Sequence, residues 1–459
     1  MKLSQLAASI NGQLIGSDGE FSSVSTDTRS LQPGDLFVAL QGPNFDGHAY
    51  LPQAFAKGAV AALVSKACNV SQPQILVADT LRGLGDAGRM WAQQFPVKKI
   101  AITGSSGKTT LKEMVAAILA EVAATLSTKG NLNNDIGVPL TLSRLNAQHR
   151  FAVIECGANH VGEIAYTVNL VQPDVAVVNN VAPAHLEGFG SIDRVAQAKG
   201  EIYSGLNAQG VAVINLDDAY ASQFLAQTSQ LRQLTFSLRN LQASVVADNL
   251  RCNALGQYAF TVKMPEAQFD IQLPLLGQHN VRNALAACAL TLALDIPVAA
   301  MQAGLQKVRA VPGRLFPVED LPGFNIIDDS YNANPASLKA AIDVLAEAGS
   351  NTCLVLGGMG ELGDTSAQLH EQVGAYAAQK GILRVYSLGP NAGFYQRGYA
   401  QYQPPQGRFI VCDSHQQIAG NLTQHEKDKT ILVKGSRSTA MEKVIHALRD
   451  QDHLHEETH

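Results

Sequence analysis

Short apolar runs that alternate with amphipathic stretches dominate the sequence from residue 99 onward. In the middle of the chain, strand-like runs lie at residues 100–103, 151–155, 175–179 and 211–215, with helical patterns between several of them, as at 111–120 and 192–200. Strands that alternate with helices predict a parallel sheet with helices on both faces. Residues 235–273 alternate polar and apolar positions, which predicts an antiparallel insert before an Ala- and Leu-rich helix at 281–294.

A second alternating pattern follows the sequence Val-Pro-Gly-Arg at 311–314. Its strand candidates are residues 325–329, 352–356, 384–388, 409–412 and 431–434, and its helix candidates are 335–347, 366–379, 414–422 and 438–449. This pattern predicts a separate doubly wound domain. No Gly-x-Gly-x-x-Gly turn follows its first strand, so a dinucleotide site in this domain has no support.

The first 80 residues are mixed in character and rich in turns. Short strands are predicted at 35–40 and 59–64, a loop at 41–48 and a helix at 81–94. At about 150 residues per domain, the chain divides into three domains, which we place at 1–80, 81–311 and 312–459. We therefore predict an α/β protein with a small mixed α/β N-terminal domain, a central P-loop ATPase-like domain on a parallel sheet, and a Rossmann-like C-terminal domain.

Composition narrows the class of protein. An apolar content of 46% and a charged content of 16% fit a globular chain, and the net charge of -5 favours no nucleic-acid partner. Six scattered cysteines predict buried free thiols in a reducing compartment, with disulfides or a metal site as the alternative. The N-terminus lacks the apolar stretch of a leader, and no segment reaches the ~18 apolar residues of a spanning helix, so we expect a soluble cytoplasmic protein. Residues after Asp450 are expected to form a frayed end, with a His-rich metal tract as the alternative.

The strongest chemical signal is the sequence TGSSGKTT at residues 103–110, which follows an apolar run and opens a helical pattern. Glycines let backbone N–H groups turn toward phosphate oxygens, and a helix N-terminus adds positive charge. Lys108 can reach the β and γ phosphates, and Thr109 can offer its hydroxyl to magnesium. Ile102 stands where the full P-loop has Gly, so this is a shorter variant; the alternative is a helix start with a chance lysine. The predicted nucleotide-binding residues are Gly104, Ser105, Ser106, Gly107, Lys108, Thr109 and Thr110.

Three residues, two of them near predicted strand ends, are candidates for a metal site. Glu155 ends a strand-like run, where open parallel sheets bind ligands, and its carboxylate suits magnesium. The alternative for Glu155 is an edge acid that caps the next turn. His185 follows another strand end, and Lys199 lies in a helical pattern. Spacing alone assigns neither, because a structural histidine and a surface lysine explain them as well.

Two further segments carry polar side chains that could contact a nucleotide. Asn280 and Asn283 open a helical pattern and could read an adenine edge, or Asn280 could simply cap the helix. Asp329 follows a strand of the third domain, where an acid can bond ribose hydroxyls. Its segment could instead serve to cap the next helix through Asn334.

Taken together, these segments resemble the Mur ligase family. The resemblance lies in TGSSGKTT, ECGANHVGEI (155–164), AHLEGFGS (184–191) with AKGE (198–201), GQHNVRNALAA (277–287), VPGRLFPV (311–318) and DDSYNANP (328–335), in that order. STDTRSLQPGDLFVALQGPNFDGH (25–48), GNLNNDIGVP (130–139) and LVKGSRSTAME (432–442) are similar to the branch that adds D-alanyl-D-alanine to a UDP-linked tripeptide. The resemblance covers nearly the whole chain, and the combination of motifs is what makes it specific.

The resemblance implies an ATP-dependent amide ligase of cytoplasmic peptidoglycan precursor synthesis, with ATP and Mg²⁺ as cofactors. Its small-molecule substrates would be UDP-N-acetylmuramoyl-tripeptide and D-alanyl-D-alanine. ATP would phosphorylate the tripeptide carboxylate, and the dipeptide amine would attack the acyl phosphate. No nucleic-acid partner and no membrane insertion are implied, and a monomer is the default expectation.

The resemblance also implies roles for individual residues. Those implied in catalysis are Lys108, His185, Lys199 (as an N-carboxylated lysine) and Arg314, and the implied metal ligands are Thr109, Glu155, His185 and Lys199. Asn280 and Asn283 would contact adenine, Arg314 the γ-phosphate and Asp329 the ribose. The implied uridine-pocket residues are Asp27, Thr28, Arg29, Asn44, Asp46 and His48. Asn134 and Asp135 would face the muramoyl peptide, and Lys434, Ser436 and Arg437 would lie near the cleft.

The sequence departs from the family pattern at one place, and we consider three alternative functions. Relatives often read GDMAELG where this chain reads GGMGELG at 357–363, so any role of an acid at 358 is in doubt. A ligase that adds the third residue would usually carry an Asp-Asn-Pro-Arg-type motif, and folylpolyglutamate synthase would have no reason to keep a UDP-binding segment. A P-loop switch protein, in which ATP only changes conformation, is the alternative from another class.

Overall fold

The computed structural model describes the backbone of residues 1–456 and the side chains of residues 1–451. Each of the three predicted segments contains one large sheet, which confirms the predicted α/β class. A two-stranded ladder also pairs Gln41–Gly42 with Phe45–Asp46, where we had predicted a loop. The domain boundaries stay a prediction, because Leu84 of the helix Thr80–Gln93 packs in the core of the first sheet.

The N-terminal sheet has five short strands and mixed direction. Their order across the sheet is Gln13–Ile15, Gln74–Leu76, Ala61–Val64, Asp35–Val38 and Ser23–Ser25. The first pair is antiparallel and the others are parallel. The helices of this part are Leu3–Ser9, Leu51–Ala56 and Thr80–Gln93, with a 3-10 turn at Gly47–Tyr50.

The central sheet has nine strands, and its parallel part places the strand ends that matter for chemistry. Their order is Ala267–Leu276, Gln257–Met264, Val245–Cys252, Arg232–Ser237, Val211–Asn215, Val175–Val178, Lys98–Thr103, Phe151–Glu155 and Thr125–Ser127. Its helices are Lys108–Ala120, Gly137–Leu142, Glu163–Val171, Leu186–Phe189, Ile192–Gly200, Ala221–Gln227, Gln278–Leu292 and Val298–Lys307. Ile100 and Ile102 pack on one face and Ala101 on the other, which is why these strands read as continuous apolar runs.

The predicted insert at 235–273 is only partly correct. Arg232–Ser237 and Val245–Cys252 run parallel to each other, and only the last two pairings are antiparallel. All of these strands extend the central sheet instead of forming a separate unit. The alternating pattern arises because one face, with Phe260 and Ile271, packs in the core against the neighbouring helices. Such alternation reports which face is buried and does not report strand direction.

The C-terminal sheet has six strands, all parallel except the first. Their order is Phe316–Val318, Asn325–Asp329, Thr430–Lys434, Thr352–Leu356, Arg384–Leu388 and Arg408–Cys412. The helices are Pro335–Glu347, Ser366–Gln379, Ala392–Ala400, His415–His425 and Glu442–Glu456. We did not predict Ala392–Ala400, whose two internal glycines weaken a helical pattern. Gly398 is needed there, because a Cβ would collide with the backbone of Glu371 on the adjacent helix.

The last helix differs from the prediction at both ends. It begins at Glu442, after a 3-10 turn at Arg437–Thr439, and continues to Glu456, so the expected frayed end after Asp450 is wrong for the residues that the structure describes. Side chains beyond residue 451, on which the alternative of a His-rich metal tract depends, lie outside the described part. Among the described residues, no helix combines the length and apolarity needed to cross a bilayer.

The cysteines are free thiols, as predicted, but not all are buried. Cys156, Cys288, Cys353 and Cys412 are buried, whereas Cys68 is partly buried and Cys252 is exposed. Cys252 is the last residue of Val245–Cys252, the third strand from the edge of the central sheet, whose C-terminal half is largely exposed.

Candidate active site

A cavity of about 660 Å³ lies where the carboxyl ends of the central and C-terminal strands face each other. Of the residues predicted for function, it is lined by Ser105, Ser106, Gly107, Lys108, Thr109, Thr110, Asn134, Glu155, His185, Asn280, Asn283, Arg314, Asp329 and Lys434. The fold thus brings the nucleotide-type motifs of two domains to one place.

The loop at 103–110 connects the strand Lys98–Thr103 to the helix Lys108–Ala120, as predicted. Gly104 has φ +154° and Gly107 has φ +74°, and residues other than glycine rarely adopt these backbone conformations. The Lys108 ammonium bends over the loop and donates to the carbonyl of Gly104 at 2.8 Å. Burial lowers the pKa of Lys108. The loop therefore presents a cation and a helix N-terminus to the cavity, which suits polyphosphate.

Asn179 and Asn180, which we did not predict, hold the loop in shape. The Oδ1 of Asn180 accepts from the backbone N–H of Ser106 at 2.9 Å, and its Nδ2 donates to the Ser106 carbonyl at 3.0 Å. The hydroxyl of Ser105 donates to the carbonyl of Ala182 at 3.0 Å. The available signal was the pair of asparagines directly after the apolar run Val175–Val178.

Glu155 and Thr109 place hard oxygen atoms side by side. The Thr109 hydroxyl donates to Oε2 of Glu155 at 2.9 Å, and Nδ2 of Asn133 donates to its Oε1 at 2.8 Å. Glu155 is only 2% exposed, and its backbone N–H donates to the Thr128 hydroxyl at 3.0 Å. A carboxylate next to a hydroxyl beside a phosphate-binding loop fits Mg²⁺, which takes few protein ligands and completes its shell with phosphate and water. A role for Glu155 only as a cap of the next turn does not account for its hydrogen bonds with Thr109 and Asn133.

The implied metal set contains a threonine and a lysine, Thr109 and Lys199, besides Glu155 and His185. Among the described residues, no group of three or more His, Cys, Asp or Glu side chains is arranged to hold a metal ion. Thr109 and Glu155 are in contact, while roles for His185 and Lys199 as ligands stay predictions.

His185 has a left-handed backbone, with φ +53°, directly before the helix Leu186–Phe189. Its Nδ1 contacts the carboxylate of Glu361, which comes from the C-terminal domain. Burial lowers the pKa of His185, and the charge of Glu361 opposes that effect. Sequence reasoning missed Glu361, because it considered only the absent acid at 358 in the same loop.

Lys199 is not the solvated surface lysine that its sequence context suggested. It is 1% exposed, and its Nζ lies 5.6 Å from the ring centre of Phe189. Burial, reinforced by the charge of Lys108, lowers the pKa of Lys199 to about 7. Part of the population therefore carries a neutral amine near neutral pH, which is the form that can be N-carboxylated. Its side chain lies beneath the cavity wall and does not line the cavity.

Asn280 and Asn283 are buried at the start of the helix Gln278–Leu292. Asn283 accepts from Nδ2 of Asn179 and donates to Oδ1 of Asn280, both at 2.9 Å. Asn280 donates to the carbonyl of Leu276 at 2.8 Å. The alternative in which Asn280 caps the helix is wrong, because the cap position is Gly277 and no side-chain capping bond is made there. These contacts tie the helix to the segment beneath the phosphate-binding loop.

Asp329 and Lys434 form a buried ion pair at the ends of neighbouring strands. Their Oδ2 and Nζ atoms are 2.7 Å apart, and Oδ1 of Asp329 also accepts from the backbone N–H of Leu315 at 3.1 Å. Burial raises the pKa of Asp329, and Lys434 opposes that shift. The guanidinium of Arg314 lies 4.2 Å from the ring centre of Tyr331.

Asn334 shows that capping and site formation coexist in the same segment. Its Oδ1 accepts from the backbone N–H of Ser337 at 2.8 Å, which caps the helix Pro335–Glu347. Its Nδ2 donates across the domain boundary to the carbonyl of Ser105 at 3.4 Å. The helix cap therefore touches the phosphate-binding loop.

The residues implied for uridine lie outside this cavity, in the N-terminal domain. Asp27 and Arg29 pair with each other at 2.7 Å, and the Thr28 hydroxyl donates to Gln53 at 3.2 Å. Asp46 accepts from Nδ1 of His48 at 2.6 Å and from its backbone N–H at 3.0 Å.

The polar atoms of His48 are thus used inside the domain. Its Nε2 accepts a hydrogen bond from the backbone N–H of Ser65 at 3.0 Å. The ring proton is therefore on Nδ1, which donates a hydrogen bond to Asp46. Asn44 is exposed in the turn between the strands Gln41–Gly42 and Phe45–Asp46. Its side chain takes part in none of the hydrogen bonds that the structure describes. Of this group, Asn44 has the side chain best placed to meet a ligand without breaking a contact.

Of the remaining predicted residues, some line the cavity and others lie outside it. Asn134 lines the cavity and accepts from the backbone N–H of Gly137 at 2.9 Å, whereas Asp135 does not line it. Ser436 is buried with its hydroxyl 3.0 Å from that of Ser438, and Arg437 pairs with Glu442 at 2.8 Å. Neither Ser436 nor Arg437 lines the cavity.

Comparison with known proteins agrees with this arrangement along the whole chain. Family models match at residues 20–119 (Mur ligase family, catalytic domain), 102–291 (Mur ligase middle domain) and 313–437 (Mur ligase, glutamate ligase domain). The chain is 45% identical over 454 residues to the UDP-N-acetylmuramoyl-tripeptide–D-alanyl-D-alanine ligase of Escherichia coli strain K12, which covers 98% of each protein. The chain belongs to the Mur ligase family.

Solved structures of other Mur ligases share the fold over nearly the full length. MurF from Acinetobacter baumannii superimposes with a TM-score of 0.90 at 35% identity and covers 97% of this chain and 98% of that one. The MurF ligase from Thermotoga maritima in complex with ADP superimposes with a TM-score of 0.82 at 27% identity, over 93% and 97% of the two chains. The predicted three-domain Mur ligase architecture is confirmed.

Proposed function

We propose that this Mur ligase uses ATP to join D-alanyl-D-alanine to UDP-N-acetylmuramoyl-tripeptide in peptidoglycan precursor synthesis. One observation carries the proposal: a single cavity holds the phosphate-binding loop of one domain opposite Arg314 and Asp329 of another. The full-length similarity to the E. coli ligase supplies the identity of the substrates.

The chemistry requires activation of a carboxylate, because a carboxylate is a poor acyl donor. An oxygen of the tripeptide's terminal carboxylate attacks the γ-phosphorus of ATP, ADP leaves, and an acyl phosphate forms. The neutral amine of D-alanyl-D-alanine then attacks the acyl carbon, inorganic phosphate departs with the bonding pair, and the amine proton passes to solvent or a base. The product is an amide.

The residues of the cavity suit these steps by charge. Both reacting groups are anionic, so the ammonium of Lys108 and the guanidinium of Arg314 offset repulsion where charge develops. Magnesium held by Thr109 and Glu155 would neutralise phosphate charge. The roles proposed for the remaining groups are adenine contacts for Asn280 and Asn283, a ribose contact for Asp329, and further ligation or catalysis by His185 and N-carboxylated Lys199.

The distal parts of the substrate would extend away from the cavity. We assign the muramoyl peptide to Asn134 and Asp135, and further substrate contacts near the cleft to Lys434, Ser436 and Arg437. The uridine is assigned to the N-terminal domain at Asp27, Thr28, Arg29, Asn44, Asp46 and His48, with Asn44 as the most available side chain. We further propose that the enzyme is cytoplasmic, that it acts as a monomer, and that its domain boundaries lie near 80 and 311. Light scattering tests the oligomeric state, and limited proteolysis tests the domain boundaries.

The decisive experiment measures phosphate release from ATP in the presence of magnesium, UDP-N-acetylmuramoyl-tripeptide and D-alanyl-D-alanine, with each component omitted in turn. Release that needs all components, with a UDP-muramoyl pentapeptide in the product, is the expected result. Release without either organic substrate would favour a nucleotide-driven switch. Release with a free amino acid in place of the dipeptide would indicate another ligase activity of the family.

A further inference from the structure

A glycine-rich loop of the C-terminal domain, residues 357–363, reaches across the cavity to the central domain. At its tip, Glu361 has a left-handed backbone with φ +59°. The carboxylate of Glu361 contacts Nδ1 of His185, and its carbonyl accepts from the backbone N–H of Glu187 at 3.2 Å. Two left-handed residues from different domains therefore meet at the rim of the site.

The loop is held firmly by its own domain. The backbone N–H of Met359 donates to Nε2 of the buried His370 at 2.9 Å, and the N–H of Gly357 donates to the carbonyl of Lys434 at 2.8 Å. Gly358 accepts from the N–H of Ser436 at 2.9 Å. Glu361 consequently follows the C-terminal domain, and its contact with His185 exists only while the two domains lie together.

The contact selects one form of the His185 ring. Nδ1 of His185 is buried and makes no hydrogen bond of regular geometry, and the Glu361 carboxylate is in contact with it. Because an ionised carboxylate only accepts hydrogen bonds, this contact favours the ring form that carries its proton on Nδ1. The lone pair of a neutral ring is then on Nε2, the nitrogen that stays available to a cation or a transferring proton. Carboxylate partners of this kind fix both the tautomer and the orientation of functional histidines.

We propose that Glu361 is a positioning residue for His185, and that the central active site becomes complete only when the C-terminal domain supplies this carboxylate. The inference rests on the proposed ligase function for its kinetic consequence, but the tautomer of His185 can be measured without any substrate. It also gives the domain contact a chemical purpose, because nucleotide bound with the domains apart would meet a histidine that is free to rotate and change tautomer.

The test compares Glu361→Ala, Glu361→Gln and a matched control, Glu347→Gln. Glu347 is also a C-terminal-domain glutamate that crosses to the central domain, where its carboxylate accepts from the Tyr258 hydroxyl at 2.8 Å, but it does not line the cavity. Nitrogen-15 histidine spectra at pH 8 report the tautomer, and the signals of His185 are identified by their loss in His185→Gln.

In the wild type and in Glu347→Gln, we expect the Nδ1-protonated form of His185. Glu361→Ala should shift the ring toward the Nε2-protonated form, which neutral imidazole favours in water. Glu361→Gln should keep the wild-type tautomer, because its amide oxygen still accepts from Nδ1. An unchanged tautomer in Glu361→Ala would overturn the proposal.

The kinetic arm uses the same variants. Glu361→Ala should lower kcat about 10- to 100-fold, the usual effect of losing such a partner, while KM for ATP stays unchanged and Glu361→Gln recovers most of the loss. A Glu347→Gln defect as large as that of Glu361→Ala, or no rescue by glutamine, would refute a positioning role. If the wild type itself fails to ligate, the proposed function falls, and the spectra still decide the Glu361 contact.

Discussion

Glu155 shows how burial turns a common residue into a specialised one. Both of its carboxylate oxygens are engaged, one by Thr109 and one by Asn133, and the residue has almost no contact with solvent. A charged group so enclosed is costly unless a cation or several donors compensate for it. The position of Lys108 and the proposed magnesium supply that compensation.

We expect Glu155→Gln to lower the rate of substrate-dependent phosphate release about 10²- to 10³-fold, comparable to the loss of one preorganised electrostatic partner. Glutamine keeps the size of the side chain but removes its charge, so the concentration of magnesium that gives half of the maximal rate should rise. Glu121→Gln is the control, because Glu121 is exposed directly after the helix Lys108–Ala120, at the end away from the phosphate-binding loop. A variant with normal magnesium dependence would contradict the role of Glu155 as a ligand.

His279 makes the stability of the protein depend on pH. Burial, with the charges of Arg282 and Lys434, lowers its pKa to about 4 from an ordinary value of 6.5. Between these values the unfolded chain binds a proton that the folded chain does not, so the free energy of unfolding decreases as the pH falls from about 6.5 to about 4.

Replacement His279→Gln should make this loss shallower, by at most about 1.4 kcal/mol per pH unit. Urea unfolding at several pH values in that window measures the difference from the wild type. His446→Gln, which changes an exposed histidine of the last helix, should follow the wild type. Parallel curves for His279→Gln and the wild type would show that His279 does not titrate as inferred.

At the scale of elements, the strand Lys98–Thr103, the loop and the helix Lys108–Ala120 act as one unit. The helix begins directly after Gly107, whose left-handed backbone turns the N-terminal N–H groups toward the cavity. A Cβ at this position would lie 2.9 Å from Nδ2 of Asn179 and 3.0 Å from Oδ1 of Asn283. The amide network below the loop therefore requires glycine for space as well as for conformation.

We expect Gly107→Ala to abolish tight ATP binding and to cost more than the roughly 1–2 kcal/mol of a left-handed alanine. Gly381→Ala is the matched control, since Gly381 has φ +77° but no atom within 4 Å of the added Cβ. It should show the backbone cost alone and bind ATP normally. Calorimetric titration with nucleotide and urea unfolding separate the two effects; equal behaviour of the variants would contradict the spatial argument.

At the scale of the whole molecule, the nucleotide-type residues are divided between two sheets. The phosphate-binding loop belongs to the central domain, whereas Arg314 ends the linker at 311–314 and Asp329 follows it. The domains meet through the contacts of Asn334 with Ser105 and of Glu361 with His185. A ligand that touches both sides stabilises the arrangement in which they are close.

Nucleotide analogue and tripeptide together should therefore reduce the radius of gyration measured by solution X-ray scattering. Lys108→Ala serves as the control, because loss of the phosphate-binding cation should remove the compaction at the same ligand concentrations. Unchanged dimensions of the wild type on ligand addition would contradict ligand-driven domain closure.

The sequence by itself determined the class of fold, most strand positions and the phosphate-binding loop. Apolar runs of four to six residues rich in Val and Ile indicated buried strands, and TGSSGKTT indicated a phosphate-binding turn, because glycine conformation and a helix start depend on neighbouring residues. Phe151–Glu155 and Pro335–Glu347 were predicted to the residue for the same reason. The order of motifs likewise sufficed to indicate the family.

Only the tertiary structure showed the features that involve residues distant from each other in the sequence. Burial of Lys199 beneath the cavity, the pairing of Asp329 with Lys434, and the contact of Glu361 with His185 join residues that no local pattern connects. The direction of the strand Val245–Cys252 and the close packing at Gly398 are decided in the same way. Local sequence limits backbone conformation, but desolvation and charge pairing depend on which surfaces the fold brings together.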